Sequence, residues 1–106
     1  MTESEFNERA EAALRMLELA VDAADIGIDC TRSGSVLTLE LDNETKIIVN
    51  TQVPTRQIWV AARSGGYHFG YDGKVWRDTR DGTELFAALS RLVSGQGGVA
   101  VVLGPK

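Results

Sequence analysis

The 106-residue chain is 43% hydrophobic and carries a formal net charge of −4, which suits one modest core and disfavours nucleic acid, whose binding rests on a basic patch that releases counterions. A single domain over residues 1–106 is expected. No apolar run approaches the roughly 18 residues of a membrane span, the first residues carry Glu3, Glu5 and Glu8 instead of a basic and then apolar leader, and the lone cysteine, Cys30, suits a reducing compartment, so a cytoplasmic protein without membrane contact is expected.

Thr2 and Glu5 have the spacing of a capping box, so a helix should begin there. Phe6, Ala10, Ala13, Leu14, Leu17, Val21 and Ala24 recur on a helical period and make a core-facing stripe, with Gly27 just beyond the end. Glu8, Glu11, Arg15, Glu18, Asp22 and Asp25 step by three and four along another face. Residues 1–30 hold eight acids against two bases, a balance of −6, whereas the remainder holds seven acids and nine bases. All of the negative excess lies in this first third, which marks it as the surface to meet a cation or a basic partner.

From residue 26 to residue 78 the period falls to two. Runs at 26–32, 35–41, 46–50, 57–62, 67–69 and 74–78 are separated by turn residues including Ser33-Gly34, Asp42-Asn43, Pro54, Ser64-Gly65-Gly66 and Asp72-Gly73, giving a meander of about six strands. Leu37, Leu39, Leu41, Ile47, Val49, Ile58, Val60 and Ala62 share one face by alternation. The opposite face collects Thr38, Glu40, Asn50, Gln52, Gln57 and one large aromatic, Trp59, whose ring is either covered by its neighbours or a contact for a partner.

Asp81 and Glu84 offer a second capping box before the helical stripe of Leu85, Phe86, Leu89, Leu92 and Val93. Gly95, Gly97 and Gly98 should end that helix, and the apolar residues 99–103 should pack against the body. The order predicts an α+β fold with two helices packed on one face of a five- to six-stranded antiparallel sheet.

Catalytic chemistry finds little support. His68 is the only histidine, and no metalloprotease, nucleophile-elbow or phosphate-loop motif occurs, so no catalytic residue is assigned and the chain is expected not to be an enzyme. Cys30, Tyr67 and His68 are residue types that ligate haem iron, while a strand residue is the plainer account of each. Carboxylates along one helix face are hard oxygen ligands that cannot enclose an ion, so any metal they hold should be weakly bound and exchangeable.

In order and spacing, Ser4-Glu5-Phe6, Ile28-Asp29-Cys30, the run from Lys46 to Pro54 with its Asn50-x-Gln52-x-Pro54, Gln57-x-Trp59-x-Ala61 and Gly65-Gly66-Tyr67-His68-Phe69 resemble the bacterial frataxin family of CyaY-like proteins. The resemblance spans nearly the whole chain. It implies an α-β sandwich that binds ferrous or ferric iron on the first helix and the first strand edge, and that regulates iron-sulfur cluster assembly through a cysteine desulfurase and its scaffold protein without turnover of its own. By position it implies metal ligation by Glu8, Glu11, Glu18, Asp22, Asp25 and Asp29, and partner binding by Asn50, Gln52, Gln57 and Trp59. A monomer is expected without metal, with metal-dependent oligomerisation an open alternative. Leu19, Ala23, Ala24 and Gly27 stand where other members thicken the acidic cluster, and Asn7 where some have histidine, which leaves a thinner, all-oxygen ridge. The alternative is a metal-independent interaction module that docks by its acidic face and Trp59; ferroxidase chemistry ranks last.

Overall fold

A computed structural model describes residues 1–25, 27–98 and 100–104. Helix α1 spans Glu3–Ala24 and is followed by strands β1 (Asp29–Ser33), β2 (Val36–Glu40), β3 (Lys46–Gln52), β4 (Gln57–Ala62), β5 (Gly65–Tyr71) and β6 (Trp76–Asp78), then helix α2 (Leu85–Gly97). The strands form one six-stranded antiparallel sheet in sequence order, and both helices bury their apolar stripes on one of its faces. This is the expected architecture.

The capping box of α1 forms as its spacing predicts: the Glu5 amide donates to Thr2 Oγ1 at 3.1 Å and the Thr2 amide to Glu5 Oε1 at 3.1 Å. These bonds also hold the Glu5 carboxyl below its usual range, the backbone N–H of Thr2 being the main cause. The α1 stripe meets Leu37, Leu39, Ile47, Val49, Ile58, Val60 and Phe69, all buried, which are the inward residues of β2 through β5. Phe6 lies edge-on to Trp76 with ring centroids 5.8 Å apart, tying the start of α1 to the last strand.

Several boundaries depart from the sequence expectations, β2 falling one residue short at each end of the run at 35–41 and β3 running on to Gln52. Helix α2 is capped by Glu84 alone, whose carboxylate accepts from the amides of Phe86 at 2.8 Å and Ala87 at 3.1 Å. Asp81 instead accepts from the Thr83 amide at 2.9 Å, because the chain turns back here: the Asp78 amide donates to the Thr83 carbonyl and Glu84 bridges to Arg77. Strand β5 is longer than expected, since Gly65, Gly66 and Gly70 pair with Ala62, Ala61 and Gln57 despite the poor strand propensity of glycine. Strand β6 is shorter, because Asp72 Oδ1 takes the amides of Lys74 and Val75, each at 2.8 Å, into a turn. Strand β1 starts at Asp29; Ile26, at the start of the expected run, lies outside the described residues.

After Gly98, left-handed at φ 76°, the chain returns along α2. Val101 and Leu103 are buried, and their backbone groups bond to Ser94 and Ser90 respectively. The apolar tail therefore packs on the body as expected, Val99 lying outside the described residues.

Candidate functional site

Two surfaces carry the residues expected to be functional, one along α1 and one on the bare face of the sheet. On α1, Glu8, Glu11, Asp22 and Asp25 are exposed and Glu18 is half-buried. Their spacing predicts a row of carboxylates that carries one cation, Arg15. The structure adds a second: Arg32, on the neighbouring edge strand β1, donates from Nη2 to Glu11 at 2.5 Å and from Nη1 to Glu18 at 3.2 Å. Glu11 is held below the usual carboxylate range chiefly by that hydrogen bond, and the same bond raises Arg32. The middle of the row is thus partly neutralised, and neither Asp22 nor Asp25 has a cation at salt-bridge distance among the described residues.

Arg32 escapes the sequence because it lies 14 and 21 residues from its partners. Its signal is strand parity: Arg32 and Cys30 pair with the buried Leu37 and Leu39, which aims them to the helix side. Asp29 pairs with Glu40 and is exposed, so alternation places it on the other side of β1 from Arg32. Four of the six proposed metal ligands thus lie in α1, Asp25 caps its C-terminus, and Asp29 stands apart at the start of the edge strand. Among the described residues, no three Asp, Glu, His or Cys side chains converge closely enough to hold a metal ion.

The haem-type residues are not brought together. Cys30 lies on the edge strand, with its thiol pushed up by burial and, less, by Glu18. Tyr67 pairs with the buried Val60 and its hydroxyl meets Ser64 Oγ at 2.7 Å, while His68 points to the opposite sheet face.

On that bare face, antiparallel register puts the expected partner-binding residues into two adjacent rows. Asn50 pairs with Trp59 and Trp59 with His68; in the next row Gln52 pairs with Gln57 and Gln57 with Gly70. Trp59 stacks on the His68 ring with centroids 4.3 Å apart and planes 11° from parallel, and its Nε1 donates to Gln57 Oε1 at 2.8 Å. The ring is therefore fixed on both its face and its polar edge while remaining half-exposed. Gly66, Gly70 and Ala61 nearby add almost no side chain, so the indole sits on a flat, largely uncharged shelf. His68 is the residue that motif reasoning misses here; once β4 and β5 are paired antiparallel about Gly65, it falls opposite Trp59.

A six-stranded antiparallel meander backed on one face by two helices, with an acidic first helix and an open face carrying one tryptophan, is the α-β sandwich of frataxins. A family model described as the frataxin-like domain matches residues 1–99, and the chain belongs to that family, which serves iron-sulfur cluster assembly. The chain is 56% identical to the iron-sulfur cluster assembly protein CyaY of Herminiimonas arsenicoxydans, with 97% of this chain and 96% of that one covered. To the CyaY protein of Paraburkholderia phymatum it is 53% identical over 99% and 100% of the two chains. A solved frataxin from Psychromonas ingrahamii superposes with a TM-score of 0.90 at 34% identity, covering 96% and 97%. Trimeric yeast frataxin complexed with ferrous iron superposes at 0.67 and 29% identity, covering 92% and 88%. No helix among the described residues is long and apolar enough to cross a membrane.

Proposed function

We propose that this chain is an iron-binding regulator of iron-sulfur cluster assembly, acting in the cytoplasm on a cysteine desulfurase and its scaffold protein without turnover of its own. The observation that carries this reading is the Trp59 shelf: a half-exposed indole held by Gln57 and His68 on an otherwise polar sheet face, in a chain that matches an assembly protein over 97% of its length. A rigid aromatic on a flat surface loses little entropy on binding and is the usual anchor of a protein interface. Asn50, Gln52 and Gln57 surround it with neutral donors and acceptors able to satisfy a partner's backbone.

Iron binds, in this reading, on the carboxylates of Glu8, Glu11, Glu18, Asp22, Asp25 and Asp29. A row of side chains on one helix leaves most of the coordination sphere to water, and Arg32 competes for Glu11 and Glu18, so binding is weak and exchangeable. A relative from yeast has been solved as a trimer with ferrous iron; here the metal-free chain acts as a monomer. The same row steers the protein to a basic patch of the desulfurase, so affinity falls as ionic strength rises.

A second reading, a module that binds only protein, is favoured by the lack of converging ligands among the described residues. Anaerobic titration with Fe²⁺, followed by amide-resolved NMR, separates the two. Selective broadening across residues 8–29 supports the metal half; unmoved resonances there remove it and leave the module. Trp59→Ala tests the shared half, with an expected loss of about 2 kcal/mol, or roughly 30-fold, in affinity for the assembly complex. Unchanged affinity would remove the shelf from the interface.

A further inference from the structure

On the flank of α1 away from β1, between the core stripe and the acidic row, stand Met16, Leu19 and Ala23, spaced by three and four residues. They face the returning C-terminal segment across an open groove of about 480 Å³, whose far wall is Val102 and Gly104. Leu19 is 64% exposed, Val102 89% and Met16 38%, three of the five large apolar side chains that the described surface leaves open. The segment that carries Val102 is tied to the body, since Ser90 and Ser94 hold the backbone on either side of it. Val102 is thus presented outward by a fixed backbone. Contiguous exposed apolar surface with a polar border is the mark of an interaction surface.

Among the described residues that line the groove, the charged side chain is an acid. Asp22 lines the groove and Asp25 caps the helix beside it, both without a salt-bridge partner among the described residues, whereas Glu11 and Glu18 further along are engaged by Arg32. The last turn of α1 contains no basic residue, so the negative end of the helix dipole adds to the two carboxylates instead of being offset. Negative potential is therefore reinforced at the groove end of the row, whereas Glu8, also without a salt-bridge partner among the described residues, lies toward the positive end of the dipole.

We propose that this groove is a docking site for a basic amphipathic helix of a protein partner, with apolar side chains seated against Leu19, Met16 and Val102 and Lys or Arg beside Asp22 and Asp25. Helix-in-groove recognition uses such anchors at i, i+3 or i+4 and i+7, and a groove of this volume takes two or three of them. The inference rests on the docking part of the proposed function only for the sign of the partner's charge. The apolar anchors are a separate claim, on a different face from the Trp59 shelf.

The probe is a synthetic lysine–leucine helical peptide whose leucines share one face, compared with a scrambled peptide of the same composition whose leucines are dispersed. The full-length ¹⁵N-labelled chain is titrated with each. Saturable shifts at Met16, Leu19, Ala23 and Val102 are expected with the segregated peptide, and Leu19→Ser with Val102→Ser should weaken it by about tenfold or more. Both residues are exposed, so unchanged shifts elsewhere in the variant certify the fold. If the scrambled peptide binds equally well, or the double variant binds undiminished, charge alone holds the peptide and the groove proposal is overturned, while steering through the acidic row survives. Concentration-dependent self-association through the same residues would give the groove to a second copy. Binding seen only after removal of residues 105–106 would give it to the chain's own end. Either result also overturns the proposal.

Discussion

The C-terminal segment depends on two serines to an unusual degree, and that dependence can be measured. Ser94 Oγ donates to the Val101 carbonyl at 3.0 Å and accepts from the Val101 amide at 2.9 Å; Ser90 Oγ accepts from the Leu103 amide at 2.8 Å and donates to the Phe86 carbonyl at 2.7 Å within α2, with the Leu103 carbonyl 3.1 Å away. At about 1 kcal/mol per net hydrogen bond, Ser94→Ala and Ser90→Ala should each cost ~2 kcal/mol if the segment stays in place. It has reason not to stay. Burying Val101 and Leu103 contributes about 3–5 kcal/mol and the three bonds about 3, against roughly 5–10 kcal/mol for ordering the five or so residues involved, so docking is worth at most a few kcal/mol net. Once one serine is gone the segment detaches and the second has nothing left to hold. The double variant should therefore lose about 2–3 kcal/mol in urea unfolding instead of ~4, with the amides of Val101 and Leu103 exchanging freely already in a single variant. Full additivity, with both amides still protected in the double variant, would refute this account.

Three further outcomes follow from the same contacts. Replacing Arg32 with Gln should raise the Glu11 carboxyl toward its ordinary value, read by carbon-13 NMR titration. Because the folded value is depressed, the stability tied to Glu11 is present above its unfolded pKa and lost as pH falls through the folded one, and the variant should lack that component. An unmoved Glu11 titration would show that Arg32 does not hold it in solution. Asp72 is lowered to about 2, first by the Val75 amide and then by Arg77 and the Lys74 amide. Its contribution should be complete above the unfolded value near 3.8 and vanish toward pH 2, so the urea midpoints of the native protein and Asp72→Asn should converge over that interval and stay apart above it. Glu84→Ala should cost about 1 kcal/mol as a lost helix cap, and Asp81→Ala distinctly less; equal costs would return the cap to Asp81.

Local period alone identified both helices, the inward set of β2 to β4 and the polar face opposite, because alternation and the helical repeat are properties of consecutive residues. The acidic row and Trp59 were legible for the same reason: charge spacing on α1 and parity along β4 need no knowledge of neighbours. Strand ends were less so. Gly65 and Gly66 belong to β5 only because Ala62 and Ala61 stand opposite them, and Lys74 leaves β6 only because Asp72 captures its amide.

Tertiary structure alone decided what the candidate residues touch. Arg32 reaches Glu11 and Glu18 because the edge strand lies beside α1, a fact of topology that clamps the middle of a mostly anionic face and leaves Asp22 and Asp25 free at its C-terminal end among the described residues. His68 becomes the support of Trp59 through a register in which a one-residue slip would carry it to the other face. The groove beside Leu19 exists because Ser90 and Ser94 bring the end of the chain back along α2. In each case the groups that meet are far apart in sequence, and the sum of local preferences carries no information about which distant side chain arrives.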